Sequence, residues 1–226
     1  MRKLLRWTVG CLWFALWAGP AAYAAAGGEP LPTPQFRSYG SAEGLPSGAV
    51  YAIAQDRDGM LWFGSAGGLV RFDGVNFKVY RHVVGDPDSL PANQTYALLV
   101  DRDNRVWAGG VSSGLIMHDP RQGTFRQWQH TDDVASLADN EVWSMAQGAD
   151  GAIWIATQGG LDRLVSLDGP VEHVARIDGA GRQVPFGPVR ALLAEDDGRL
   201  WIAAREGLFL RHADGQVMRV PVDPAF

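Results

Sequence analysis

One short pattern occurs four times along this chain of 226 residues, and its regular spacing restricts the fold more than any other feature. Each copy has an apolar opening, a turn rich in aspartate and glycine, a tryptophan and then a glycine-leucine pair. The repeated residues are Trp62, Trp107, Trp154 and Trp201, and the glycines Gly68, Gly114, Gly160 and Gly207. The tryptophans stand 45, 47 and 47 residues apart. A fixed period of this length indicates one supersecondary unit that is used repeatedly.

Within one copy, short apolar segments alternate with turn residues. In the first copy these segments cover residues 50–55, 61–63, 69–73 and 77–80, and the turns between them contain Asp, Gly and Asn. Four short antiparallel strands per unit are typical of a β-propeller blade. The sequence therefore predicts an all-β fold, a β-propeller of about four four-stranded antiparallel blades. The blades are expected at about residues 36–82, 90–130, 137–176 and 184–222.

The repeated residues have predicted roles in this fold. Each tryptophan is expected to fill the wedge between neighbouring blades, because a buried aromatic ring removes a large apolar area from water. The glycine before each leucine is expected to let the chain reverse where a Cβ atom would clash. Small residues such as Ala52, Ala97 and Ala146 suit the innermost strands, which crowd together in a propeller.

The first 26 residues differ from the rest of the chain. Arg2, Lys3 and Arg6 form a basic region, residues 7–18 are an apolar run, and residues 22–26 offer small residues for cleavage. This order predicts a secretory signal peptide at residues 1–26, a proline-rich linker at residues 27–35 and the propeller domain at residues 36–226. The expected location is therefore the periplasm, with an uncleaved membrane anchor as the alternative.

Composition and charge disfavour several classes of function. The net charge of −5 becomes −8 once residues 1–26 are removed, because that segment carries three positive charges and no negative ones. An acidic surface disfavours nucleic acid and anionic membranes as partners. The histidines lack metal-ligand spacing and no phosphate-binding or dinucleotide motif occurs, so neither metal nor cofactor is expected. The Asp-x-Asp-Gly turn at residues 56–59 could suit calcium, but a structural turn is the favoured interpretation.

Three strings carry a family resemblance: EGLPS at residues 43–47, VYAIAQDRDGMLWFG at residues 50–64 and GLVRFDG at residues 68–74. Together they resemble the two-component regulator propeller repeat, over about residues 36–222. The resemblance implies a periplasmic sensor region that receives carbohydrates or other small molecules. In this family a membrane helix and a histidine kinase or diguanylate cyclase usually follow. The resemblance also implies a seven-bladed ring, often two in tandem.

Four copies do not make a ring of seven. Residues 36–39 resemble an outer strand without a blade of its own, and the last copy already has an outer strand at residues 216–220. We therefore expect an incomplete seven-bladed ring, with a closed four-bladed ring or pairing with a second chain as alternatives. Uncovered blade edges favour association, so a homodimer is one expected partner.

The loops that lead from one blade to the next are expected to carry the function. They cover residues 82–94, 130–141 and 176–188, and in a propeller they share one face. The ligand-face candidates are Asn93, Gln94, Asn140, Glu141, Trp143 and Arg190. Trp143 could stack on a sugar ring, although core packing between blades is the favoured interpretation.

These features favour a ligand-sensing propeller that is not itself catalytic and forms the input part of a two-component or cyclic-di-GMP receptor. The expected ligand is a small molecule such as a carbohydrate. Membrane contact is expected only through an uncleaved N-terminal segment or a C-terminal part outside this chain. The alternatives are a lyase or lactonase on a propeller scaffold and a protein-interaction scaffold. Such an enzyme needs a central cluster of His, Glu or metal ligands, of which the predicted inner strands hold almost none.

Overall fold

The computed structural model describes residues 35–46 and 48–221 of the chain. The predicted signal peptide and all but the last residue of the predicted linker lie outside the described residues. The chain divides into two compact units, residues 1–37 and 38–226, and all the described strands belong to the second. The described residues include no helix with the length and hydrophobicity of a membrane span.

The second unit consists of four antiparallel sheets whose strands are hydrogen-bonded in chain order within each sheet. These sheets are the blades of a propeller, which confirms the predicted all-β fold. Blades 1 and 2 consist of β1 (Val50–Gln55), β2 (Leu61–Ser65), β3 (Gly68–Phe72), β4 (Phe77–Tyr80), β5 (Ala97–Val100), β6 (Val106–Gly109), β7 (Leu115–Asp119) and β8 (Thr124–Trp128). Blades 3 and 4 consist of β9 (Val142–Gln147), β10 (Ile153–Thr157), β11 (Leu161–Leu164), β12 (Val171–Ile177), β13 (Gln183–Pro185), β14 (Val189–Ala194), β15 (Leu200–Ala204), β16 (Gly207–Arg211) and β17 (Val217–Val220).

Blade 3 departs from the predicted four strands, since it has a fifth, β13, paired with β12. The predicted loop at residues 176–188 is therefore partly a hairpin. Its turn is closed by Asp178, whose carboxylate accepts the backbone N–H groups of Ala180 and Arg182 at 2.9 Å each. The backbone N–H and the guanidinium of Arg182 hold the pKa of Asp178 below its usual range. A strand of three residues is too short to show the alternation that predicts a strand.

The predicted outer strand at residues 36–39 is wrong, because no strand is assigned there. Tyr39 instead packs edge-on against Phe72 and Phe77, at ring-centroid distances of 5.2 and 5.7 Å. A single 3-10 turn at Ser41–Glu43 follows, and Leu45 beyond it is buried. Tyr39 thus serves side-chain packing on blade 1, which the sequence alone does not distinguish from strand pairing, while Phe36 is 94% exposed.

Three apolar cores lie between consecutive blades, and each contains one repeat tryptophan. Trp62 packs in one core with Val106 and Ile116 of blade 2. Trp107 and Trp154 lie in the next two cores, and none of the three tryptophans is more than 4% exposed. Each of these side chains therefore fills the space between its own blade and the next.

The corresponding face of blade 4 is uncovered in the part of the chain that the structure describes. Trp201 is only partly buried, and its neighbours on that face, Leu193 and Met218, are 61% and 53% exposed. Trp201 pairs with Leu193 on one side and with Leu210 on the other, and Leu210 in turn pairs with Met218. These side chains therefore form one row across the blade. Blade 4 therefore presents an apolar surface. The seven-bladed ring and the homodimer stay predictions.

A carboxylate holds the turn before the tryptophan and also bonds the indole. In blade 1, Oδ1 of Asp56 accepts the backbone N–H groups of Asp58 and Met60 at 3.0 and 2.9 Å. Oδ2 of Asp56 accepts the indole N–H of Trp62 at 2.8 Å. Both oxygens that a calcium ion would need are therefore engaged in the turn itself.

The same bond recurs in two other blades. The indole N–H of Trp107 donates to Asp101 at 2.7 Å, and that of Trp201 donates to Glu195 at 2.8 Å. In blade 3 a glycine, Gly148, occupies the equivalent position. The carboxylate thus links turn and core in blades 1, 2 and 4.

Glycine before the leucine is required by geometry in blades 1 and 2. Gly68 has a φ of +129°, and an added Cβ would lie 2.2 Å from the carbonyl oxygen of Tyr80. Gly114 has a φ of +65°, and its Cβ would lie 2.2 Å from the carbonyl oxygen of Trp128. Gly160 differs, because the nearest atom to an added Cβ is 3.9 Å away. The repeated glycine therefore has a steric reason only in some copies.

Candidate functional site

The loop after blade 1 is held by its own side chains. Oδ1 of Asn93 accepts the backbone N–H of His82 at 2.8 Å, and Nδ1 of His82 contacts the carbonyl oxygen of Leu90 at 3.1 Å. The hydroxyl of Ser89 closes the tip of the loop against Val83. Leu90 is fully buried in the core between blades 1 and 2. Asn93 therefore positions this loop, and its side-chain oxygen is already engaged.

The loop after blade 2 repeats this construction. Oδ1 of Asn140 accepts the backbone N–H of His130 at 2.8 Å, and Nδ1 of His130 contacts the carbonyl oxygen of Leu137 at 2.6 Å. Leu137 is fully buried between blades 2 and 3. The two loops are thus similar in sequence because the same asparagine and histidine contacts hold both in place.

The next two candidates, Gln94 and Glu141, make structural contacts mainly through their backbone atoms. Gln94 is exposed, and its carbonyl oxygen lies so close to Gly110 that a Cβ there would be 2.0 Å away. The N–H of Glu141 donates to Asp139 at 2.8 Å, and its carbonyl oxygen accepts the N–H of Gln158 at 3.0 Å. Within the described residues the side chains of Gln94 and Glu141 make no hydrogen bond, so both are available to a ligand.

The residues aligned at the second position of each inner strand meet in two pairs. The rings of Tyr51 and Tyr96 are 4.5 Å apart in an edge-on arrangement. The guanidinium of Arg190 lies 4.1 Å from the ring centre of Trp143, a cation–π contact. The structure therefore brings two of the sequence candidates, Trp143 and Arg190, into direct contact.

Three buried polar atoms near these pairs have no hydrogen-bond partner within the described residues. They are Nε1 of Trp143, Oγ1 of Thr95 and Oε1 of Gln158. A buried donor or acceptor without a partner costs roughly 1–3 kcal/mol. Such atoms next to an aromatic ring and a guanidinium are suited to a polar organic molecule that supplies the missing bonds.

A second group of side chains, which the sequence did not indicate, centres on the fully buried Asp162 in β11. Oδ1 of Asp162 meets Nδ1 of His173 at 2.7 Å, and Oδ2 accepts the backbone N–H of Ala138 at 2.8 Å. The carbonyl oxygen of Leu137, which belongs to the same peptide unit as the N–H of Ala138, contacts Nδ1 of His130. This peptide unit and the Asp162 carboxylate therefore connect His130 with His173. Burial raises the pKa of Asp162, although the bonds from Ala138 and His173 oppose this effect.

Comparison between the copies could have found this group. The other blades have buried apolar residues at the position of Asp162, namely Val70, Ile116 and Phe209. A buried carboxylate where a hydrocarbon suffices costs free energy, so its presence points to a role other than packing. Asp162, His130 and His173 line one cavity of about 330 Å³.

A third histidine, His118, is buried and serves packing. His118 stacks on Phe125 at 4.5 Å and contacts Trp62 at 5.5 Å. Burial lowers the pKa of His118 to about 4, so the ring is neutral at physiological pH. Among residues 35–46 and 48–221, no three His, Cys, Asp or Glu side chains lie close enough together to hold a metal ion.

Comparison with known proteins identifies the repeat. The family described as "Two component regulator propeller" matches residues 44–67, 89–112 and 136–159, which include the first two strands of blade 1 and the corresponding parts of blades 2 and 3. Histidine kinase P4 of Formosa agariphila is 45% identical over 47 residues, which are 21% of this chain and 3% of that protein.

Solved structures share the fold. An extracellular domain from B. thetaiotaomicron, described as part of a hybrid two component system, aligns with a TM-score of 0.70 at 24% identity, over 82% of this chain and 26% of that one. Virginiamycin B lyase from Staphylococcus aureus aligns with a TM-score of 0.59 at 14% identity, over 80% of this chain and 58% of that one. A gluconolactonase from Xanthomonas campestris aligns with a TM-score of 0.53 at 14% identity, over 78% and 63%.

This chain thus spans about a quarter of the B. thetaiotaomicron structure and a small fraction of the histidine kinase. The three phased repeat matches fall at equivalent places in three consecutive blades. Three segments of the chain thus match the repeat of the two component regulator propeller family.

Proposed function

We propose that the chain is the ligand-sensing input propeller of a periplasmic signalling receptor and is not itself catalytic. The three matches to the two component regulator propeller repeat support a place in two-component signalling, and the Formosa agariphila relative is named as a histidine kinase. The output activity, a histidine kinase or a diguanylate cyclase, lies outside this chain in the proposal.

The observation that carries the proposal is the cation–π contact between Arg190 and the ring of Trp143. The indole N–H of this same Trp143 is buried and has no hydrogen-bond partner within the described residues. Aromatic rings stack on the apolar face of a sugar, while guanidinium and amide groups bond its hydroxyls. Gln158 adds an unpaired acceptor, and the side chain of Glu141, two residues before Trp143, is unengaged. Carbohydrate is therefore the ligand class that we propose.

The test is a thermal-shift screen of the full chain against a panel of oligosaccharides, followed by calorimetric titration of any sugar that raises the melting temperature. We expect at least one such sugar. Trp143→Ala and Arg190→Ala should each weaken its binding by about tenfold or more, because both remove a central contact.

The matched control is Arg126→Ala. Arg126 also lies over a tryptophan, with its guanidinium 5.3 Å from the ring centre of Trp128, but it belongs to an outer strand and is paired with Asp168. This change should leave sugar binding intact. A panel without any stabilising sugar contradicts the ligand class, and equal losses in Arg126→Ala and Arg190→Ala contradict the site.

A second candidate function, an enzyme on a propeller scaffold, is favoured by the cavity around Asp162. A buried carboxylate that orients one imidazole nitrogen leaves the other free to accept a proton, which is the arrangement of a general base. His173 is 46% exposed and can reach a substrate. Two proteins of similar fold are named as a lyase and a gluconolactonase, which makes lactones and uronates the substrates to examine.

This candidate makes a simple kinetic prediction. If the chain hydrolyses a lactone or cleaves a uronate, His173→Ala should lower kcat by at least about a hundredfold, since general acid–base catalysis contributes on that order. His212→Ala, on the edge of blade 4, is the control and should leave kcat unchanged. A rate of the unaltered protein equal to that of a protein-free blank excludes the enzyme for these substrates.

The remaining expectations stay predictions. The periplasmic location depends on the signal peptide predicted at residues 1–26. A homodimer, the lack of a nucleic-acid partner and the restriction of membrane contact to the chain ends likewise await experiment.

A further inference from the structure

The boundary between blades 3 and 4 lacks an acceptor that the repeat supplies elsewhere. In blades 1, 2 and 4 the indole N–H of the repeat tryptophan donates to a carboxylate at 2.7 to 2.8 Å. Blade 3 has Gly148 at that position, and the indole of Trp154 makes no hydrogen bond within the described residues. Trp154 as a residue is only 4% exposed and lies in the core between blades 3 and 4.

A second acceptor is absent at the same place. In blade 1 the N–H of Arg57 donates to Asn104 of the next blade, and in blade 2 the N–H of Arg102 donates to Gln147, each at 2.8 Å. The equivalent N–H in blade 3 belongs to Ala149. Within the described residues this N–H has no hydrogen-bond partner. Two donors that blades 1 and 2 both satisfy are therefore left without a partner in blade 3.

Both donors border a cavity of about 360 Å³ between the turns of blades 3 and 4. The guanidinium groups of Arg163 and Arg211 also line it, at 5.5 and 4.8 Å from the ring centre of Trp154. An added Cβ on Gly148 would lie 2.6 Å from Oδ1 of Asp150 and 2.8 Å from the indole nitrogen of Trp154, so both atoms lie directly beside the glycine. The cavity therefore combines one indole N–H, one backbone N–H and two guanidinium groups.

The charges around the cavity leave one arginine uncompensated. Arg163 pairs with Asp150 at 2.6 Å and with Glu172 at 2.9 Å, and Asp197 pairs with Arg199. Arg211 has no carboxylate within ion-pair distance in the described part of the chain, and Asp196 stays exposed at the rim. Burial, and secondly the nearby charge of Arg163, lower the pKa of Arg211.

We propose that this cavity binds a small carboxylic acid. Its carboxylate approaches from the cavity, accepts the indole N–H of Trp154, as Asp56 and Asp101 do for the indoles of blades 1 and 2, and pairs with Arg211. Charge-assisted bonds of this kind are stronger than neutral ones, and a guanidinium matches the two oxygens of a carboxylate. The volume leaves room for an acid of monosaccharide size. The site is separate from the Trp143 face and does not depend on the proposed sensor function.

The test follows the indole N–H signals of the full ¹⁵N-labelled chain by NMR during titration with glucuronate, and in parallel with glucose at equal ionic strength. The two probes differ in the carboxylate. We expect a saturable shift of the Trp154 signal with glucuronate alone. The signals of Trp62 and Trp107, whose donors already have carboxylate partners, should stay in place. Movement of all three signals, or an equal response to glucose, overturns the proposal.

Two variants of equal charge change complete the experiment. Arg211→Gln should weaken glucuronate binding about tenfold to a hundredfold, since it removes a charge-assisted contact. Arg205→Gln, at the exposed β15–β16 turn, should leave the affinity unchanged. Unchanged affinity in Arg211→Gln, or an equal loss in both variants, shows that the signal arises from bulk charge and rejects the site.

Discussion

Asp101→Ala is expected to lower the free energy of unfolding by about 3–5 kcal/mol, because it removes one partner from a buried network of charged and polar groups. The Asp101 carboxylate is fully buried and pairs with Arg105 at 2.6 Å. It also accepts the backbone N–H groups of Asp103 and Arg105 at 2.9 Å each, and the indole N–H of Trp107 at 2.7 Å. Alanine leaves all these donors without an acceptor. The midpoint and slope of urea unfolding measure the loss.

Asp103→Ala is the matched control in the same turn. Asp103 also pairs with Arg105, at 2.8 Å, but its side chain is 68% exposed. Exposed ion pairs contribute little, so we expect a loss below about 1 kcal/mol. Similar losses in the two variants would contradict a role of Asp101 that extends from the turn into the core.

Trp107→Ala is expected to destabilise the protein by about 3–5 kcal/mol, the usual cost of truncating a large buried aromatic side chain. Trp107 is fully buried between blades 2 and 3, and its ring stacks on Trp128 at a centroid distance of 5.4 Å. Its removal also leaves Asp101 without the indole N–H donor. Thermal and urea unfolding measure the change.

Trp201→Ala removes the same side chain from the same position of the repeat. Trp201 is only partly buried and no following blade covers it in the described structure. The indole still donates to Glu195, so we expect a loss of about 1–2 kcal/mol. Equal losses in the two tryptophan variants would show that contacts within a blade, rather than packing between blades, account for the stability.

Local sequence signals predicted the strands well. The predicted segments 50–55 and 77–80 coincide with β1 and β4, because a turn containing Asp and Gly directly follows β1 and directly precedes β4. Strand β13 and the packing of residues 39–46 were not predicted. Both depend on contacts with distant partners, β12 in one case and Phe72 and Phe77 in the other.

The candidate site was predictable only in part. The sequence pointed to Trp143 and Arg190, since both occupy one position of the repeat, but it did not indicate their contact at 4.1 Å. Asn93 and Asn140 are candidates because they are polar loop residues. In the structure the side-chain oxygen of each accepts a backbone N–H of its own loop and so holds that loop in place. Exposure and hydrogen-bond partners decide between these roles, and neither can be derived from one sequence.

The sequence by itself determined the repeat and the four blades, because strand alternation, turn chemistry and the period of the tryptophans are local properties. The tertiary structure decided which copies of a repeated residue do what. Trp107 and Trp201 occupy the same position of the repeat, yet only the first has a blade packed over it. The missing acceptor of Trp154 and the buried Asp162 acquire meaning only against their neighbours across a blade boundary. The physical reason is that burial and hydrogen-bond pairing depend on two surfaces in contact, whereas a local sequence pattern describes only one of the two.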